Sequence, residues 1–362
     1  MQGPLPTQNP LPTQNPGAAP DGGFFALFPA ARPAVPPAAS PPLCTVLIDA
    51  EEDFDWQRPV RGVAHDLGCM RHLSDLQTIL AAYGAVPAYL LTYPVLRDAA
   101  IVAALRGRLA RGQCQVGIQL HTWVTPPFGE SAEMRNSFGT NLSAPHEEHK
   151  LLALMRAFAE AFGEPPKIFR AGRYGLGRNT PALLEKHGFL IDTSLAPRTS
   201  FGDEGGPDFS ADEFGAFWFG RARTLLELPL CRSIVGWGGP VAARAYRRLA
   251  ATGPRRHALT GLLAWSRCAE RITLSPEGND ADAAARLVAA LLGRGQRVLA
   301  LSLHSSSLRV GRNPYVRSRA ELHGFYDRLS AILDMLAGRH GTRFAGVLDL
   351  PGRLDQARPA DA

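Results

Sequence analysis

Short continuous apolar runs alternate along this chain with longer stretches whose apolar residues recur at helical spacing. Thr45–Ile48 is a short, partly β-branched run that predicts a buried strand. Further strands are predicted at Val86–Leu91, Gln115–Leu120, Lys167–Phe169, Phe189–Ile191, Leu225–Leu228, Arg271–Leu274 and Val298–Leu303, with a last one near Phe344–Leu350. Helical spacing covers Leu67–Tyr83, Ala99–Leu109, His146–Phe162, Asn179–His187 and Arg319–Leu336; Gly84, Gly112, Gly163 and Gly188 stop the first four. Asp280 can cap a helix that runs to Leu292, and residues 241–268 read as helical with breaks. Residues 122–145 read as a long polar loop, 196–224 as irregular, and Val235-Gly-Trp-Gly-Gly as a loop.

Sustained strand–helix alternation implies a parallel sheet, either closed as a barrel or open and doubly wound. Seven or eight strands favour the barrel, so the expected fold is α/β, a single distorted (β/α) barrel of about seven parallel strands. The domain is expected over 43–352. Residues 1–42 are rich in Pro, Ala and Gly, repeat Pro-Leu-Pro-Thr-Gln-Asn in tandem, and lack the basic start and apolar core of a secretory signal. They read as a disordered leader or an over-long start, and 353–362 as a flexible tail.

Composition narrows the partners. The 362 residues are 45% hydrophobic and 20% charged, as in a globular protein with a sizeable core. No uninterrupted apolar run reaches the ~18 residues of a membrane span. A net charge of +6 favours an anionic glycan, a lipid headgroup surface or nucleic acid. Arginine is scattered, however, with only short clusters at Arg244–Arg248 and Arg255–Arg256, and no nucleic-acid-binding motif accompanies it. Five cysteines without a C-x-x-C pair read as free thiols in a reducing compartment. The expected location is cytoplasmic, extending to the inner membrane face. Oligomeric state leaves no mark.

The chemistry gathers at strand ends. The first strand meets Asp49, Glu51, Glu52 and Asp53, with Asp55 two residues on. Clustered carboxylates at the end of a buried strand are costly unless a cation sits among them. Later strands deliver His121, then Arg170 and Arg173, and finally His304. A carboxylate and an imidazole from different strand ends make a partial site for Zn²⁺ or a similar ion. Arg170 could hold a carboxylate ionised, and His304 could exchange protons near neutral pH. Trp123 and Trp237 read either as a sugar-stacking platform or as core. His146 and His149 lie on a predicted helix and read as surface residues.

These residues carry a resemblance. From about Leu43 to Leu350 the chain resembles the polysaccharide deacetylases of the NodB-homology fold, in particular their WalW-like branch. The carriers are Ile-Asp-Ala-Glu-Glu-Asp-Phe-Asp-Trp (48–56), Gly-Ile-Gln-Leu-His-Thr-Trp-Val-Thr-Pro-Pro-Phe (117–128), Arg-Asn-Ser-Phe (135–138) and Phe-Arg-Ala-Gly-Arg-Tyr-Gly (169–175). Ile-Asp-Thr-Ser (191–194), Ser-Pro-Glu-Gly (275–278) and Leu-Ser-Leu-His-Ser-Ser-Ser-Leu (301–308) continue it. The resemblance implies Asp49 as catalytic base, Arg170 as the arginine that positions it, and His304 as the acid that protonates the leaving amine. It implies His121 and Glu51 as ligands of a divalent metal, zinc above all, with Asp53 a rival to Glu51. The backbone N–H of Tyr174 would help stabilise the oxyanion. Arg173, Trp123 and Trp237 are the candidates for substrate contact. The implied reaction is metal-assisted hydrolysis of an N-acetyl amide on a cell-surface or precursor glycan, including anionic or lipid-linked material.

The chain departs from the family pattern where a second metal-binding His is usual: four residues after His121 stands Thr125. The usual adjacent Asp-Asp pair is also missing. Two other readings therefore stand beside the deacetylase. One is a non-catalytic glycan-binding protein on a degenerate barrel. The other is a metal-free carbohydrate hydrolase using two carboxylates, Asp49 with Glu277.

Overall fold

The computed structural model describes residue 28 and residues 31–53, 66–131, 133–211, 213–222, 224–250 and 257–354. Asp55, Arg255, Arg256 and most of the leader and tail lie outside them. The strands, in chain order, are β1 (Arg32–Pro33), β2 (Leu43–Ala50), β3 (Ala88–Leu91), β4 (Gln115–Leu120), β5 (Ile168–Ala171) and β6 (Ile191–Asp192). They continue with β7 (Phe217–Phe219), β8 (Leu225–Glu227), β9 (Arg232–Val235), β10 (Glu270–Thr273), β11 (Val298–His304) and β12 (Arg343–Phe344).

Seven strands run parallel in the spatial order β8, β6, β5, β4, β3, β2, β11, so the last long strand returns beside the first. β2 is buried along all eight residues because one face meets the interior and the other meets packed elements outside. The sheet curls into a distorted (β/α) barrel. Between β11 and β8, single backbone hydrogen bonds replace a ladder. Leu230 N–H donates to Leu195 O at 2.9 Å, Leu274 N–H to Cys231 O at 2.8 Å, and Ser302 N–H to Leu274 O at 3.1 Å.

Several elements differ from the expectation. Arg271–Leu274 is not a barrel strand: β10 pairs antiparallel with β9, a strand that the sequence reading did not assign and that overlaps the expected loop only at Val235. β7 lies inside the stretch read as irregular and pairs antiparallel with β8. The helix expected from Leu67 begins as a 3₁₀ turn, Gly68–His72, before the α-helix Leu73–Ala82. The fold also starts before residue 43. β1 pairs with β7, and Phe28 is buried edge-on against Phe217 and Phe219, at 5.2 and 5.0 Å between ring centroids. Three aromatic rings offset the ordering cost of a segment whose composition otherwise favours disorder.

The five cysteines are free, four of them buried. Among the described residues no helix is long and apolar enough to cross a membrane.

Candidate active site

Parallel pairing places the two central groups side by side. The register of β11 on β2 sets His304 beside Asp49, both at the carboxyl ends of their strands, where parallel barrels build active sites. Asp49 is buried and accepts a hydrogen bond from Arg170 Nη1, from β5. Its Oδ2 lies 3.4 Å from His304 Nε2. The other side of the imidazole belongs to Glu277: Nδ1 is 2.8 Å from Oε2, and the His304 backbone N–H donates to Oε1, also at 2.8 Å. Ser307 donates to that same Oε1.

The electrostatics follow from this order. Burial alone would lower the His304 pKa, but Glu277 against Nδ1, with Glu51 and Asp49 nearby, holds it up at about 10. His304 is therefore an imidazolium at neutral pH, with both nitrogens donating. Burial would raise Glu277 in turn, and His304 overrides it, keeping the carboxyl below its ordinary value. Arg170 is fully buried, a costly place for a guanidinium, yet Asp49 holds its pKa above the ordinary value. Nε donates to Thr193 Oγ1 at 3.0 Å, which fixes the plane of the group. On the neighbouring strands Asp192 and Glu227 lie in register, and burial raises both, Asp192 to about 6.

A second cluster flanks the first. His121, just past β4, is buried with Nδ1 2.8 Å from Glu52 Oε1 and Nε2 3.4 Å from Glu51 Oε2. Burial would raise Glu52, but the imidazole against it keeps it below its ordinary value. Burial pushes Glu51 well above the carboxylate range, and its Oε1 has no hydrogen-bond partner among the described residues. Gln119 Nε2 donates to Glu51 Oε2 at 3.4 Å. The loop after His121 is pinned by Lys150, fully buried on the helix Ala144–Phe162, whose Nζ donates to Thr122 O at 2.8 Å and Thr125 O at 2.6 Å and pairs with Glu130 at 3.0 Å.

The carboxylate on His121 Nδ1 is the contact that orients a metal-binding imidazole. A catalytic zinc site, however, takes three protein ligands. Here the structure offers two, His121 Nε2 and Glu51, and Thr125 presents a hydroxyl where the resemblance implies an imidazole. Among the described residues no group of three or more His, Cys, Asp or Glu side chains is placed to hold a metal ion. The donor set does not fit the implied metal.

His304 and Glu277 of the first cluster and His121, Glu51 and Gln119 of the second line one cavity of about 320 Å³, together with Arg173, Tyr174, Arg232 and Tyr315, while Asp49 and Arg170 are not among its lining residues. Arg173 and Tyr174 have left-handed backbone, φ 53° and 55°. Arg173 donates to Ser137 Oγ at 2.7 Å and lies over the Phe138 ring, while the Tyr174 ring covers the Arg170 guanidinium at 5.4 Å.

Three expected site residues fall elsewhere. Asp53 pairs with Arg312 at 3.4 Å and Arg309 at 3.7 Å, and Glu51 is the carboxylate that stands against His121 Nε2. Trp123 is buried and stacked on the His121 ring, 4.1 Å between centroids, rather than open to a sugar. Trp237 is exposed beyond β9, its Nε1 donating to Ser266 O at 2.9 Å. Asp49 and Glu277 are not a facing carboxylate pair, because His304 stands between them. The sequence reading missed Glu52 and Gln119 as partners of this site, and Arg232 with β9. A second acid beside Glu51 and a polar residue two before His121 were visible signals; Arg232 carried none.

No family model matches the chain, and no curated protein sequence matches it. Among solved structures it is similar to a protein of Mycobacterium smegmatis described as a polysaccharide deacetylase: 17% identity, TM-score 0.48, over 89% of this chain and 94% of that one. Puue allantoinase is similar at 13% identity and TM-score 0.48, over 86% and 89%. A family 4 acetyl xylan esterase from Clostridium thermocellum, solved with a cobalt ion, is similar at 12% identity and TM-score 0.40, over 85% and 89%. Likeness of this degree carries no weight for chemistry, which rests on the side chains themselves.

Proposed function

We propose that this chain is a deacetylase-type hydrolase that removes an N-acetyl group from a carbohydrate, with Asp49 as general base and His304 as general acid. The observation that carries this reading is the run of contacts Arg170–Asp49–His304–Glu277, in which His304 lines the cavity. Arg170 donates to Asp49 and holds its carboxyl group in place. Asp49 takes a proton from water as its oxygen bonds to the acetyl carbon. Imidazolium His304 gives its proton to the amide nitrogen as the C–N bond breaks, releasing acetate and a free amine. The Tyr174 backbone N–H is the donor proposed for the oxyanion. Arg232 supplies charge for an anionic or hydroxyl-rich glycan, and Arg173 lines the cavity beside it in an ion pair with Glu204. A cell-surface or precursor glycan handled on the cytoplasmic side fits the reading.

Metal dependence is what the resemblance adds, and with two donors in place the chain's own groups carry the steps above. Acetate release from a panel of N-acetylated sugars tests the function. The wild type should release acetate, and Asp49→Asn should lose on the order of 10²–10⁴-fold in rate. A wild type that binds glycans yet releases no acetate would sink the enzyme. It would favour the second reading, a glycan-binding protein on this scaffold, which the hydroxyl of Thr125 in place of a third ligand supports.

A further inference from the structure

The most exposed large apolar side chains of the described residues lie together, away from the cavity. Trp237, Val241 and Trp265 are 76%, 82% and 83% exposed, and Leu259 and Leu262 are exposed beside them. Val241, Leu259, Leu262 and Trp265 sit on two short helices, Gly239–Ala250 and His257–Trp265, which pack on each other and stand on the β9–β10 hairpin, and Trp237 lies in the turn just before the first of them. The first helix buries none of its residues. Leu259, Leu262 and Trp265, three residues apart, share one side of the second helix. The Trp237 bond to Ser266 O ties that residue to the end of the same helix, next to Trp265. An apolar patch of this kind marks an interaction surface.

The segment's own sequence charge is one-sided, although its Arg255 and Arg256 lie outside the described residues and Glu213 shares a pocket with Arg244 and Arg247. Residues 236–269 contain six arginines and no Asp or Glu, a positive charge as large as the formal net charge of the whole chain, +6. Arg244 and Arg248 are exposed on the first helix. Tryptophan can stack on a base, but the aliphatic Val241, Leu259 and Leu262 need an apolar phase, which a polyanion such as nucleic acid does not offer. Arginine needs an anion, which a neutral apolar partner does not offer. An anionic bilayer surface supplies both within a few ångströms of depth. Helices of 12 and 9 residues can lie in that interface but not span it.

We propose that this helical pair docks the protein on the surface of a bilayer containing anionic phospholipid. The proposal does not depend on the catalytic reading. The hairpin beneath the pair carries Arg232 and Thr273, which line the cavity, so docking would set the site near a membrane-borne substrate.

Co-sedimentation of the full chain with phosphatidylglycerol–phosphatidylcholine vesicles, against phosphatidylcholine alone, tests it. Wild type should bind the anionic vesicles roughly tenfold or more tightly and release them as salt rises. Leu262→Ser with Trp265→Ser, and separately Arg244→Glu, should each weaken binding by about tenfold or more, with melting curves matching wild type because the altered side chains are exposed. Absence of binding to anionic vesicles, or equal binding by wild type and both variants, would overturn the proposal. So would a lipid-free dimer that the Leu262–Trp265 double variant dissociates, which would make the patch a self-association face.

Discussion

The Nδ1 of His304 lies 2.8 Å from Oε2 of Glu277, and that contact decides the charge of the imidazole. Removing the carboxylate removes the main partner of the imidazolium, so in Glu277→Gln the His304 pKa should fall from about 10 toward its ordinary value. General acid catalysis is lost as pH rises through that pKa. The alkaline limb of the kcat profile should therefore move to lower pH, by about one unit or more. A limb left in place would remove His304 from the role of acid.

Thr125 is the position at which the metal reading turns. With two donors, zinc should bind weakly, and Thr125→His should raise zinc affinity by about 100-fold or more by supplying the third ligand. Titration by calorimetry, with His121→Ala as the control, reads this directly. Stoichiometric zinc in purified wild type, lost in His121→Ala, would show that the site completes its ligand set in another way.

Lys150 holds the loop that carries His121. Replacing it by Met would leave Glu130 and the carbonyls of Thr122 and Thr125 without their buried cation. The expected cost is roughly 3–5 kcal/mol in urea unfolding. A loss of a few tenths would mean that the loop does not depend on this ion pair.

Glu147 should make stability depend on pH. Burial pushes its carboxyl up to about 7, so between about pH 4.5 and 7 the folded chain holds a proton that the unfolded chain has lost. Stability from this group is therefore present at low pH and falls as pH rises through that window. Glu147→Gln, which keeps an acceptor for the Thr180 hydroxyl, should remove the slope. Relative to wild type it should gain on the order of 2–3 kcal/mol at pH 8 compared with pH 4. Parallel stability curves for the two proteins would show that Glu147 is ionised when folded.

Much of the scaffold was legible because its signals are local. Gln115–Leu120 is a strand over its full predicted span, and Asp280 caps its helix by accepting from Ala283 N–H. Asp49, His121, Arg170 and His304 each end or follow a strand as expected, since periodicity and position along the chain carry that information. Glu277 was legible as an acid in Ser-Pro-Glu-Gly but not as the partner of His304. That contact spans 27 residues and arises only when the segment after β10 folds beside β11.

The sequence by itself determined that parallel strands would end in carboxylates, imidazoles and a guanidinium. A strand's length, its apolar faces and the residue at its end are properties of a few adjacent positions. Only the tertiary structure decided which of those groups meet. It set His304 between Asp49 and Glu277, turned Asp53 toward Arg312, buried Trp123 behind His121, and left Trp237 and Trp265 on one exposed face. Register, sheet curl and the packing of loops choose among contacts that cost nothing to write in a chain but cannot all be made in space.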